Sequence, residues 1–191
     1  GADLVGLRVS FGTSGSTVEI GEALRAARTL HVVNNSWGYG NFFGDNFSTA
    51  DFSGHGLAME DAARLGRGGL GTVLVFAAGN DRAGGQNVNY HDFQNSPHAV
   101  TVAATDEAGA VASFSTPGAA VLVGAPGVNI VTTDRIGAAG YAGGDAAVVG
   151  GTSFAAPVVS GVVALMLEAA PALGYRDVQE ILAYSARETA S

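Results

Sequence analysis

The sequence predicts a single α/β domain built on a mainly parallel β-sheet covered by helices on both faces. Three observations point there. Strand-like and helix-like segments alternate along the chain. The strand-like runs are continuously apolar instead of alternating, the pattern of strands buried on both sides. And the chain, 191 residues at 47% hydrophobic and 14% charged, has the composition of one compact soluble unit.

The elements follow in order. Residues 4–9, Leu-Val-Gly-Leu-Arg-Val, read as a short strand and the Gly/Ser/Thr run at 12–17 as a loop. A helix comes next, with Ile20, Ala23, Leu24 and Ala27 at i, i+3, i+4 and i+7 and with Ser16 and Glu19 spaced as a capping box. A buried strand is expected at 30–33, a polar glycine-rich loop at 34–56, and a helix at 57–65 closed by a left-handed Gly66. Strand 72–78 follows, then a long loop at 80–97, then apolar β-branched runs at 99–104, 121–123, 129–133 and 147–149. A buried helix at 152–170 and an amphipathic one at 177–186, with Val178, Ile181, Leu182 and Ser185 on one face, end the chain. No internal repeat or linker interrupts this order.

Composition removes several functions. No cysteine is present, so thiol catalysis, thiolate zinc sites and redox motifs are excluded, while the redox compartment stays undecided. Every cation is an arginine, and 9 of them face 17 carboxylates for a net charge of -8. Such a field repels phosphate backbones and anionic lipid, so neither nucleic acid nor a membrane surface is an expected partner. The uncharged stretch 146–167 has about the length of a bilayer crossing. It is broken by Gly150, Gly151, Thr152, Ser153, Pro157, Ser160 and Gly161, which favours a buried helix. No signal peptide opens the numbered chain, as would hold equally for a mature or excised piece.

Three segments carry chemistry. Gly150-Gly151-Thr152-Ser153-Phe154-Ala155-Ala156-Pro157 delivers a serine to the start of an apolar helix, where free amides and a partial positive charge would stabilise an oxyanion. The alternative is that Ser153 only caps the helix. The run 72–80 ends in Ala77-Ala78-Gly79-Asn80, whose carboxamide could donate to the same oxyanion or simply hydrogen-bond its own turn. The run 32–38 ends in Asn34-Asn35-Ser36-Trp37-Gly38, another buried strand entering a polar edge; Trp37 taken alone reads as core packing. Residues 66–71 also spell GxGxxG, but a helix precedes them and a strand follows, the reverse of a dinucleotide-binding turn.

Together and in this order, the three motifs resemble those of the subtilisin/kexin-like serine peptidases. The likeness covers nearly the whole chain. Asn35-Ser36-Trp37-Gly38, the glycine-rich 66–71 and Ile130-Val131-Thr132-Thr133-Asp134 look most like the proprotein convertases and their bacterial relatives. The resemblance implies a three-layer subtilisin-like fold and a secreted serine endopeptidase acting on polypeptide, with no cofactor required. It makes Ser153 the nucleophile and Asn80 the oxyanion donor. Ser36, Trp37 and Gly38 would pair with substrate backbone as an added strand, and Ala77, Ala78 and Gly79 would wall the side chain preceding the scissile bond.

The pattern also departs from the family. Its aspartate motif and its His-Gly-Thr helix start, which should precede Ser-Trp-Gly, are not in this chain. The opening Gly1-Ala2-Asp3-Leu4-Val5 resembles the segment just downstream of the family's catalytic histidine, so the chain reads as the C-terminal part of a catalytic domain. His31, His55, His91 and His98 all fall elsewhere in the order and read as structural or solvated. A serine hydroxyl needs an imidazole base held by a carboxylate, so the chain alone is expected to be inactive; a non-enzymatic peptide-binding module is the alternative from another class. Asn41 and His91 stand where arginine-selective members carry acids, and Gln86 and Gly127 where they carry calcium ligands. Asp45, Asp51, Asp81 and Asp92 are hard-oxygen candidates for a structural calcium elsewhere, with solvated loop acids as the alternative. A sheet lacking its upstream part would expose a strand edge and favour self-association.

Overall fold

The computed structural model describes residues 1–12 and 16–188. Its core is a four-stranded parallel sheet in the order β1 (Val32–Asn35), β2 (Val73–Ala77), β3 (Ala99–Thr105), β4 (Val121–Pro126). Helices α1 (Ser16–Ala27) and α2 (Ser53–Leu65) cover one face, and α4 (Thr152–Ala169) and α5 (Tyr175–Ser185) the other. A single turn, α3 (Asp92–Asn95), precedes β3. The α/β fold with a sheet between two helical layers is thus as expected.

Alternation along β2 shows why its run is apolar throughout. Leu74 and Phe76 enter the α1/α2 core with Ile20, Leu24, Met59 and Ala62, while Val73, Val75 and Ala77 enter the α4/α5 core with Val159, Val163, Val178 and Leu182. A strand whose two faces are both buried has no position left for a polar side chain.

Several local expectations are corrected. Residues 4–9 form no strand: Leu4 is 97% exposed and nothing among the described residues pairs with the segment, because a strand exists only when a neighbour takes its amides and carbonyls. The expected loop at 12–17 falls partly on residues 13–15, outside the described residues. The Glu19 carboxylate accepts the amide of Ser10. The first strand lies two residues later than read, since 28–31 are spent on the turn leaving α1. The second helix begins at Ser53, earlier than its apolar stripe. Gly66 is extended, with φ -60° and ψ 156°, and the left-handed residues come after it: Arg67, Gly68, Gly69 and Gly71. Gly66 is needed because a Cβ would strike the Thr72 side chain.

β5 (Ile130–Thr133) and β6 (Ala146–Val149) pair antiparallel with each other as a separate hairpin, not as members of the parallel sheet. Apolar composition does not distinguish the two arrangements. Helix α4 is not buried all round. Ala155, Ala156, Val159, Val163 and Leu167 meet the sheet, while Val158, Val162 and Leu165 face outward. Its length and apolarity match a bilayer crossing, yet this inner face is spent on the core. In α5, Val178 and Leu182 are buried, whereas Ile181 is largely exposed.

Candidate functional site

The three motifs meet at the carboxyl ends of β1 and β2. Parallel strands place those ends together at one edge of the sheet, where ligands gather in open α/β folds. The start of α4 closes over them.

Ser153 is the second residue of α4, so its N–H belongs to the first turn, whose donors have no intrahelical acceptor. Its hydroxyl lies 3.4 Å from the carbonyl of Ser36, and the Ser36 hydroxyl donates to the Ser153 carbonyl at 2.9 Å. Asn34 Nδ2 donates to that same Ser36 hydroxyl at 3.0 Å, and Ser160 Oγ donates to Asn34 Oδ1 at 3.1 Å. These bonds stitch the exit of β1 to the first three turns of α4. Gly151, at φ 144°, makes the sharp entry into the helix.

Asn80 is held by one end of its carboxamide. Its Oδ1 accepts the Thr152 amide at 2.8 Å and the Thr152 hydroxyl at 3.0 Å. Thr152 Oγ1 in turn accepts the Gly79 amide at 3.1 Å. A backbone N–H can only donate, so the oxygen faces the Thr152 amide; Nδ2, which a Cβ on Gly151 would approach to 3.3 Å, donates to no described residue. The structure therefore brings residues 80 and 153 together, as the motif reading requires. Thr152 was not singled out in the sequence, although a residue offering both an amide and a hydroxyl immediately before the serine was the available signal.

The strand segments are also placed side by side. After the Asn35–Phe76 pair the β1–β2 ladder ends. Ser36, Trp37 and Gly38 leave one side of the gap, and Ala77, Ala78 and Gly79 the other. Trp37 is half-buried among Phe11, Tyr39, Phe76 and Phe93, with the Phe93 ring edge-on at 5.0 Å; the core-packing reading of this side chain holds. Ala78 still bonds to β3 through its amide, at 3.0 Å to Val102 O. Gly79, at φ 100°, turns the chain outward beside Thr116.

No histidine is a hydrogen-bond partner of Ser153 among the described residues. His31 is exposed. His55 is buried on α2, with Nε2 2.8 Å from Thr17 O. His91 is buried between Asp45 Oδ1 and Gln86 Oε1, each at 2.9 Å. His98 is half-buried, 3.2 Å from the Tyr175 hydroxyl, and desolvation lowers its pKa from the ordinary value. Asp134 on the hairpin accepts the amides of Ala142, Arg135 and Tyr141, which hold its carboxyl below the ordinary range. Of the loop acids named for calcium, Asp45 is paired with His91, Asp92 accepts the Phe47 amide at 2.7 Å, and Asp81 accepts the Gly84 amide at 3.0 Å. No group of three His, Asp or Glu side chains gathers at metal distance among the described residues.

Comparison with known proteins agrees with this geometry. The model of the subtilase family matches residues 1–191. The chain is 34% identical over 190 residues to the dibasic-processing endoprotease of Schizosaccharomyces pombe, covering 97% of this chain and 26% of that protein. It is 31% identical over 185 residues to human proprotein convertase subtilisin/kexin type 4, covering 95% and 24%. It thus spans about a quarter of these relatives' length. Among solved structures, a cold-adapted subtilisin-like serine proteinase superposes with a TM-score of 0.68 at 28% identity, over 92% of this chain and 57% of that one. The serine protease of Aeromonas sobria does so with a TM-score of 0.81 at 26% identity, over 93% and 38%. Sheet order, helix placement and whole-length sequence similarity coincide: the chain belongs to the subtilase family of serine proteases.

Proposed function

We propose that this chain supplies the nucleophile and the oxyanion donors of a secreted serine endopeptidase, and that an upstream segment of the same protein supplies the imidazole and the carboxylate. The observation that carries the reading is the anchoring of Asn80 Oδ1 on the Thr152 amide at 2.8 Å, which fixes the carboxamide beside Ser153 at the start of α4.

The chemistry follows from what the parts can do. A peptide laid along Ser36–Gly38 as an added strand brings its carbonyl carbon to Ser153 Oγ. The hydroxyl gives its proton to the upstream imidazole as the new C–O bond forms. Negative charge then collects on the carbonyl oxygen, where Asn80 Nδ2 and the Ser153 amide donate, aided by the helix terminus. Collapse breaks the C–N bond, the leaving amine takes the proton from the imidazolium, and water releases the acyl group by the same steps reversed. No step of this sequence calls on a cofactor.

No imidazole hydrogen-bonds Ser153 among the described residues, so the isolated chain is inactive in this reading. The test compares fluorophosphonate labelling and peptide hydrolysis by the full-length protein, its Ser153→Ala variant and the isolated chain. Labelling and hydrolysis are expected only in the first. Equal hydrolysis by the first two removes Ser153 from its role, and stoichiometric labelling of the isolated chain refutes the need for an upstream base. Peptide binding without hydrolysis by the full-length protein would instead favour the binding-module alternative.

A further inference from the structure

Past the Asn35–Phe76 pair, where β1 and β2 separate, the gap between their ends is filled by a glutamine. Gln94 lies in α3 and is only 5% exposed. Its backbone carbonyl accepts the buried Thr101 hydroxyl at 2.7 Å, which fixes it to β3. Its Nε2 stands 3.4 Å from both Trp37 O and Ala77 O, one carbonyl from each side of the gap. Carbonyls only accept, so the nitrogen must face them and Oε1 is the free end. That oxygen is buried and has no hydrogen-bond partner, a desolvated acceptor whose cost a donor would recover. A Cβ on Gly38 would come within 3.0 Å of Nε2, so the carboxamide reaches the edge at which the substrate chain is proposed to pair.

Asp45 is the only buried carboxylate among the described residues, and both its oxygens are taken, Oδ1 by His91 at 2.9 Å and Oδ2 by the Phe93 amide at 3.3 Å. On the other side of His91, Gln86 Oε1 accepts at 2.9 Å and Gln86 Nε2 donates to Gly40 O at 2.6 Å. Both oxygens of Asp45 and both ends of the Gln86 carboxamide are thus already hydrogen-bonded within the network.

We infer that Gln94 is the specificity-determining floor of the slot between Ser36–Gly38 and Ala77–Gly79, which makes the residue before the scissile bond short and uncharged. Alanine and serine are short enough to sit above the carboxamide, whose Nε2 faces the gap. Phenylalanine and arginine are excluded by the filled volume. The inference rests on the peptidase reading, which assigns this gap to substrate.

The test uses the full-length protein. Fluorophosphonate titration of one portion reports whether Ser153 is reactive, independently of the slot. A second portion receives internally quenched peptides that differ only in having Ser, Ala, Phe or Arg before the scissile bond. kcat/KM is expected to be at least tenfold higher for Ser and Ala than for Phe and Arg. In Gln94→Ala the Phe-to-Ala ratio should rise at least tenfold. Gln94→Met, which refills the volume without a carboxamide, should keep Phe and Arg excluded. If Gln94→Ala shows no cooperative melting transition, the wild-type profile and the Met variant decide. Fastest cleavage after Arg or Phe by the wild-type protein, with Ser153 labelled, overturns the inference and leaves the peptidase reading standing. Absence of labelling overturns that reading and the inference with it.

Discussion

Asn80 has two ends, and only its oxygen is spent holding the protein together. Asn80→Asp separates the two roles, because an aspartate keeps the acceptor for the Thr152 amide and loses the donor. In the full-length protein kcat should fall about 10²- to 10³-fold with KM little changed, a magnitude known from subtilisin, a member of the same family, and not from this chain. Steady-state kinetics check it, and an unchanged kcat removes Asn80 from the oxyanion site. His98 makes a prediction for pH. Burial lowers its folded pKa below the unfolded value of about 6.5, so the unfolded chain binds more protons in the interval between the two. Its contribution is complete above about pH 6.5 and is lost as pH falls through the folded value. The melting midpoint should therefore decline on acidification below about pH 6.5, and His98→Gln should flatten that part of the profile. Asp134 works lower: its depressed carboxyl contributes stability above the unfolded value of about 4 that disappears as pH falls through the folded one.

Elements form where neighbours accept them, which is why composition alone misplaced a few. Residues 4–9 and 130–133 are both apolar and β-branched in part, yet the first pairs with nothing described and the second pairs with β6. The turn after α2 was legible as a glycine cluster, but its clamp was not. Arg67, at φ 51°, donates from Nη1 to Gly71 O and Leu173 O at 3.1 and 2.9 Å and from Nη2 to Pro171 O at 2.9 Å. One guanidinium thereby fastens the turn between α2 and β2 to the link between α4 and α5. A lysine, a single point donor, cannot span these carbonyls. Arg67→Lys should cost about 1.5–3 kcal/mol, the range for hydrogen bonds to a charged group. Phe76, fully buried in the middle of the α1/α2 core, should cost about 3–5 kcal/mol on truncation to alanine. Urea unfolding measures both, and a smaller loss at Phe76 than at Arg67 would contradict the layered packing.

At the scale of the molecule, β1 is the outermost strand on its side of the sheet. Near it run apolar surfaces that nothing described covers: Leu4, Val5 and Phe11 in the opening segment, and Val158, Val162 and Leu165 on α4. A strand edge beside apolar surface favours association with another chain. The isolated chain should therefore sediment as oligomers at high concentration, and supplying the upstream segment in trans should return it to a defined heterodimer. A clean monomer at high concentration would show that the edge is blunted in some other way. The net charge of -8 works against aggregation without selecting a partner.

The family, most of the element order and the candidacy of Ser153 and Asn80 were readable in the amino acids, because each depends on local pattern: a doubly buried strand must be apolar, and a glycine turn before a serine marks a helix start. What fills the gap between the strand ends was not readable. Gln94, Thr152, Asp45 and His91 acquire their roles from neighbours tens of residues away in the chain. Folding brings those partners within hydrogen-bond distance, and no periodicity records which distant carbonyl a carboxamide will meet.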